Sequence, residues 1–260
     1  MSLLDKSALR VSVALSLAAM CILFSIPVAA AAAAAAANPI LVELFTSEGC
    51  SDCPPADAFL KVLDSAQPIP GAQLIVLEEH VDYWDDQGWR DPFSSRALTL
   101  RQGEYVNRLQ GKNGPYTPQM VIDGSEAFVG SDRGQAGRAF AKEAPLPKVS
   151  VQISGTHVQD GKILTHVEIA SVPFKAEVFL AVALDHAQSQ VLRGENGGRA
   201  LEHVAIVERL SSVGKMEKGE SLSKDVAMKI DHPQTEYRVI AFVQQADQGR
   251  VLGAAAAHAK

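Results

Sequence analysis

From Ile40 to Leu60 the chain reads ILVELFTSEGCSDCPPADAFL, and three signals in this stretch set the topology. Ile40 to Phe45 is a short apolar run of branched and aromatic residues, the pattern of a buried strand, with Glu43 the odd residue inside it. Cys50-Ser51-Asp52-Cys53 comes next. Pro54-Pro55 then suits a helix's first turn, where a missing N–H costs nothing, and Phe59, Leu60 and Leu63 continue at helical spacing. Strand, cysteine pair, helix is the order.

Working outward, Leu74 to Leu77 is a second apolar strand that ends in His80-Val81-Asp82-Tyr83-Trp84-Asp85-Asp86. Asp91 as N-cap, Pro92 in the first helical position and Gly111 as stop frame a long helix. Gly114 to Pro118 leads to a strand at Gln119 to Ile122, a turn at Asp123-Gly124 and a partner strand at Ala127 to Val129. Asp132 is placed to cap a helix that reaches about Glu143.

The pattern changes at Pro145 and Pro147. Beyond them Val149-Val151-Ile153, Ile163 to Ile169, Val178 to Leu184, Val204-Ile206, Val226 to Ile230 and Val239 to Val243 alternate, with turns between. Frequent short strands with little helical period predict an antiparallel β-sandwich. The expected architecture is therefore an α/β domain at 38–145 followed by an all-β, sandwich-like domain at 146–260.

The chain of 260 residues carries a net charge of −6. That acidity, with 6% aromatic residues, argues against a nucleic-acid partner, which would leave a basic stripe. Lys6 and Arg10 precede an uncharged apolar run to Ile26, then Pro27 and unbroken alanine from Ala29 to Ala37. This is the plan of a signal peptide over 1–37, too short before Pro27 to span a bilayer. The mature chain is expected to be periplasmic or secreted, without stable membrane insertion. Its removal takes away Cys21 and leaves Cys50 and Cys53 as one C-x-x-C in an oxidising compartment. Two cysteines cannot make a four-cysteine zinc site.

Three chemistries suit such a pair. A structural disulfide, in a non-enzymatic module that binds a partner, would close only a four-residue loop, worth about 2 kcal/mol on loop entropy. A redox disulfide would exchange with a protein thiol or disulfide partner and need no other cofactor. Two thiolates also suit Cu(I), with His80 as an added imidazole ligand. In the redox reading Cys50, after flexible Gly49, is the exposed attacking thiol, and Cys53, leading into the helix, lies deeper. Glu48 and Asp52 oppose the helix N-terminus, which places the potential toward the reducing end. Glu43 either relays a proton to the resolving thiol or pairs with a basic residue. The stretch from His80 to Trp89 either lines a groove beside the disulfide or is a packed loop. The second-half histidines show no metal-ligand spacing, and nothing in the sequence assigns an oligomeric state.

The first strand and cysteine pair resemble the core strand and active-site helix of thioredoxins. Thr117-Pro118 resembles the cis-proline pair that faces the disulfide in that fold. That resemblance implies a thioredoxin-like α/β domain in which Cys50, Cys53, Thr117, Pro118 and Glu43 form the site. Two positions depart from it: Gly49 stands where a tryptophan is usual, and Glu43 lies one residue further from Cys50 than the usual buried acid. The segments VELFTSEGCSDCPPADAFL, HVDYWDDQGWRDPF, YTPQMVIDG, FVGSDR and GENGGR, the last followed by Leu201, are similar to the DUF1223 family of bacterial exported proteins.

Overall fold

In a computed structural model, residues 37–109, 114–231 and 236–259 are described. The signal segment, save Ala37, and the stop at Gly111 lie outside them. The elements are β1 (Asn38–Thr46), α1 (Pro54–Ala66), β2 (Ala72–His80), α2 (Arg96–Leu109), β3 (Gln119–Ile122), β4 (Glu126–Val129) and α3 (Arg133–Glu143). Seven strands follow: β5 (Val151–Gln159), β6 (Lys162–Ile169), β7 (Ala176–Gln190), β8 (Ala200–Met216), β9 (Leu222–Lys229), β10 (Tyr237–Gln245) and β11 (Val251–Ala259).

An eight-stranded mixed sheet runs β11-β10-β7-β8-β2-β1-β3-β4, and β5, β6 and β9 form a separate three-stranded sheet. This corrects the expected thioredoxin-like domain with a distinct sandwich behind it. Strand outweighs helix, 47% against 18%, and the main sheet crosses from one half of the chain into the other. The crossing is made by β8, which pairs along β7 from Ala176↔Met216 to Gln190↔Ala200 and lies parallel to β2 at Glu78↔Ile206. An uncovered β2 edge would leave a row of unpaired backbone groups, and β8 covers it.

The cores follow the sheet. One unites Leu60 and Leu63 of α1 and Phe140 of α3 with Leu44 and Val76 of the first half and Ala181, Val207 and Phe242 of the second. Another lies between the three-stranded sheet and the second-half strands, with Ile163 and Val167 against Leu180, Ile206 and Val239. A small cluster of Phe45, Val81, Tyr105 and Val121 sits under α2. None of the helices among the described residues is long and apolar enough to cross a membrane.

Local signals decide the helix starts. Cys53 is the N-cap of α1, and the two prolines occupy its first positions. Asp132 caps α3 by accepting from Gln135 N–H at 2.9 Å. The α2 expectation is corrected: the helix opens at Arg96 rather than after Asp91. Asp91 accepts from Phe93 N–H in a local turn, while its other oxygen holds Glu48 N–H at 2.8 Å and the His80 ring at 2.7 Å. A side chain committed to those groups cannot also cap a helix.

Candidate functional site

The segment Thr46–Cys53 leaves β1 and turns into α1, and Cys50 and Cys53 are joined by a disulfide. Its turn is closed by Cys50 N–H to Ser47 O and Cys53 N–H to Cys50 O, at 3.1 and 3.2 Å. No side chain caps α1, so Cys53 sits at the positive pole of the helix, with Asp57 in its first turn. Both cysteines are buried, Cys50 at 1% and Cys53 at 0% exposure, which corrects the exposed first thiol expected from the motif order.

The cover comes from the second half of the chain. Asn196 donates from Nδ2 to the carbonyls of Glu48 and Cys50, both at 2.9 Å. Glu195 accepts from Ser51 N–H at 3.0 Å. On the first-half side, Trp84 stands against Gly49, where an added Cβ would lie 3.0 Å from Trp84 Cβ. The same Trp84 donates from Nε1 to Thr117 Oγ1 at 2.8 Å. The Thr117–Pro118 bond is cis, and Pro118 packs beside Gly130, where a side chain would clash with Leu44, Ala56 and Pro118 together. Trp84 and Gly130 thus bring Thr117 and Pro118 to the Cys50–Cys53 turn and the start of α1.

Glu43 goes elsewhere. Its strand alternates, and Leu44 takes the face toward α1 while Glu43 takes the opposite one. There its carboxylate accepts from Arg101 Nε and Tyr105 Oη, each at 2.6 Å. Arg101 lies over the Tyr105, Phe179 and Phe242 rings at 5.1–5.3 Å. Burial and the Glu43 carboxylate push the neighbouring Glu79 well above the ordinary carboxyl range. A buried acid on the α1 side of the cysteines is instead Asp57, one turn after Cys53, which accepts from Thr46 Oγ1 at 2.6 Å. Burial and the Glu78 carboxylate push it up to about 7, against the pull of His203.

Behind the cysteine turn lies a cluster the sequence did not announce. Glu78, His80 and His203 are all buried, brought together by the β2–β8 pairing. His203 Nδ1 is 2.6 Å from Glu78 Oε1, whose partner oxygen accepts from Val204 N–H at 2.8 Å. The two imidazoles meet edge to face with centroids 4.8 Å apart. Glu48, beside the disulfide, reaches the same cluster: it accepts from Trp89 Nε1 at 2.7 Å and from Ser189, and lies 3.3 Å from His203 Nε2. Burial would raise Glu78, but His203 and His80 hold it down at about 2. Burial disfavours the His203 cation, yet Glu78 and Glu48 raise it to about 9. The groups around His80 are therefore Glu78, Asp91, Phe93 and His203. A lone second-half histidine in a strand carried no motif by which to find it.

A family model described as "Protein of unknown function (DUF1223)" matches residues 41–244. The chain belongs to that family. The DUF1223 chain also matches the crystal structure of a protein from Agrobacterium tumefaciens at 26% identity and TM-score 0.65. That match covers 84% of this chain and 92% of the other, so the architecture extends over nearly the whole of both. A β-glucosidase from Kluyveromyces marxianus aligns at 15% identity over 60% of this chain and 16% of its own, with TM-score 0.24. A search of curated proteins finds no match.

Proposed function

We propose that this DUF1223 protein is an exported thiol–disulfide oxidoreductase acting on protein thiols or disulfides through Cys50 and Cys53. The observation that carries the reading is the C-x-x-C disulfide whose second cysteine begins a helix with no capping side chain. A thiolate formed at that end is stabilised by the helix N-terminus. The N-terminal signal pattern supports an oxidising compartment, where such a bond persists.

In the exchange, the Cys50 thiolate attacks one sulfur of a partner disulfide. The partner's S–S bond breaks, its second sulfur leaves as a thiolate, and a mixed disulfide forms at Cys50. The Cys53 thiolate then attacks Cys50 Sγ, remaking the internal bond and releasing the reduced partner. Two electrons pass from the protein dithiol to the partner, and the reverse sequence oxidises a partner dithiol. Asp57, one helical turn from Cys53 and pushed up to about 7, takes the resolving thiol's proton in its ionised form, which it adopts as pH rises through that value. The loop bearing Glu195 and Asn196 must swing aside before a partner reaches Cys50.

The test is covalent trapping in an extract of the exported compartment. Cys53→Ser should accumulate Cys50–partner adducts, and Cys50→Ser should not. Burial of both sulfurs favours a second reading, an inert disulfide. That reading holds if neither variant traps a partner and the native bond resists mild dithiol reductant.

A further inference from the structure

We infer that Glu78, His80 and His203 form a binding site for a divalent cation of the Zn(II) class, separate from the cysteine pair. Each residue offers one donor atom, and the three atoms lie within 4.8 Å of one another inside the protein. Glu78 Oε1 is the hub, 2.6 Å from His203 Nδ1 and 3.5 Å from His80 Nε2. Zinc–nitrogen and zinc–oxygen bonds of about 2.0–2.2 Å require neighbouring donors a little over 3 Å apart. The His80 contact already has that spacing. The His203 contact has to open by roughly half an ångström as the cation replaces the proton between the two groups.

What distinguishes the cluster from a buried ion pair is how the remaining atoms are used. A ligating histidine almost always sets its other ring nitrogen against a carboxylate or carbonyl, which fixes tautomer and ring orientation. His80 Nδ1 is 2.7 Å from Asp91 Oδ2, and His203 Nε2 is 3.3 Å from Glu48 Oε1. Glu78 Oε2 is occupied by Val204 N–H at 2.8 Å. His80 and Glu78 are thus oriented from their far sides by hydrogen bonds, while His203 Nε2 faces the Glu48 carboxylate without one. His80 Nε2, aimed at the hub, is buried and makes no hydrogen bond. Among polar atoms in the protein interior, one without a partner needs an explanation, and a cation bound at the hub would supply it.

The donor set selects the ion. Two imidazoles and one carboxylate suit Zn(II), whereas Cu(I) favours thiolate and Ca(II) favours oxygen alone. A surface cavity of about 300 Å³, lined by Lys61, His186, Glu202, His203 and Val204, borders the histidine on β8.

The test titrates Zn(II) alone into the full chain against a chromophoric chelator, with Co(II) as a spectroscopic probe. One equivalent should bind, and the Cys50→Ser/Cys53→Ser double variant should bind it equally. Co(II) should show visible ligand-field bands without thiolate charge transfer, and Ca(II) should not compete. Asp91→Asn should weaken binding by about 10–100-fold, and His203→Gln by more. If the histidine variant fails to fold, the wild-type and double-serine spectra decide alone. No bound Zn(II), a thiolate signature lost in the double variant, or undiminished affinity in a folded His203→Gln protein would overturn the site.

Discussion

The side-chain amide of Asn196 lies 2.9 Å from the carbonyl oxygen of Cys50, although 146 residues separate them. A second bond from the same nitrogen to Glu48 O and a bond from Arg199 to Asn196 Oδ1 make this amide the latch of the cysteine turn. Asn196→Ala leaves two buried carbonyls without that donor, at a cost of about 1–3 kcal/mol. The disulfide of this variant should be reduced several-fold faster by a dithiol reagent, followed by stopped-flow fluorescence or quenched alkylation. An unchanged rate would show that the latch does not limit access.

Arg101 is predicted to be among the most costly residues to remove from the interior. Its guanidinium serves Glu43, Tyr105 and Gln244 and lies 3.7 Å from Glu79. Arg101→Met strands the Glu43 carboxylate and should cost about 3–5 kcal/mol in denaturant unfolding. Glu79→Gln should cost less, because burial and the Glu43 carboxylate already disfavour a charge at that position. Equal losses from the two substitutions would contradict this division of roles.

Asp57 should leave a mark on the pH dependence of stability. Its folded-state value, about 7, lies above the ordinary 3.8 of an unfolded aspartate. Between those values only the unfolded chain loses the proton, so this residue makes stability fall as pH rises from about 4 to 7. Asp123, pushed up to about 6 by burial against the pull of Lys148, adds to the same slope. Asp57→Asn keeps an oxygen for Thr46 and should flatten the fall, measured by urea unfolding at several pH values. A slope identical to wild type would count against a neutral Asp57.

The local elements were legible because local pattern specifies them. The strand ending before Cys50, the helix opened by Pro54-Pro55 and the Asp132 cap follow from apolar runs, proline placement and a capping side chain. The joining of β2 to β8 was not, because a single parallel bridge between Glu78 and Ile206 leaves no period in either strand. The same gap hid the site. Glu78 and His203 make sense only as a pair across that bridge, and Glu195 and Asn196 only as cover for a turn far upstream. Glu43 shows the converse: proximity to Cys50 in sequence suggested a catalytic acid, but strand alternation turned it toward Arg101.

The most direct test of the central claim is a redox equilibrium of the purified chain against glutathione, read as the fraction of alkylatable Cys50 and Cys53. Reversible two-electron titration is expected at a potential below the about −120 mV of strongly oxidising exchangers and above about −300 mV. A disulfide that stays closed at potentials below about −300 mV would behave as structural disulfides do, and would contradict exchange chemistry at Cys50 and Cys53.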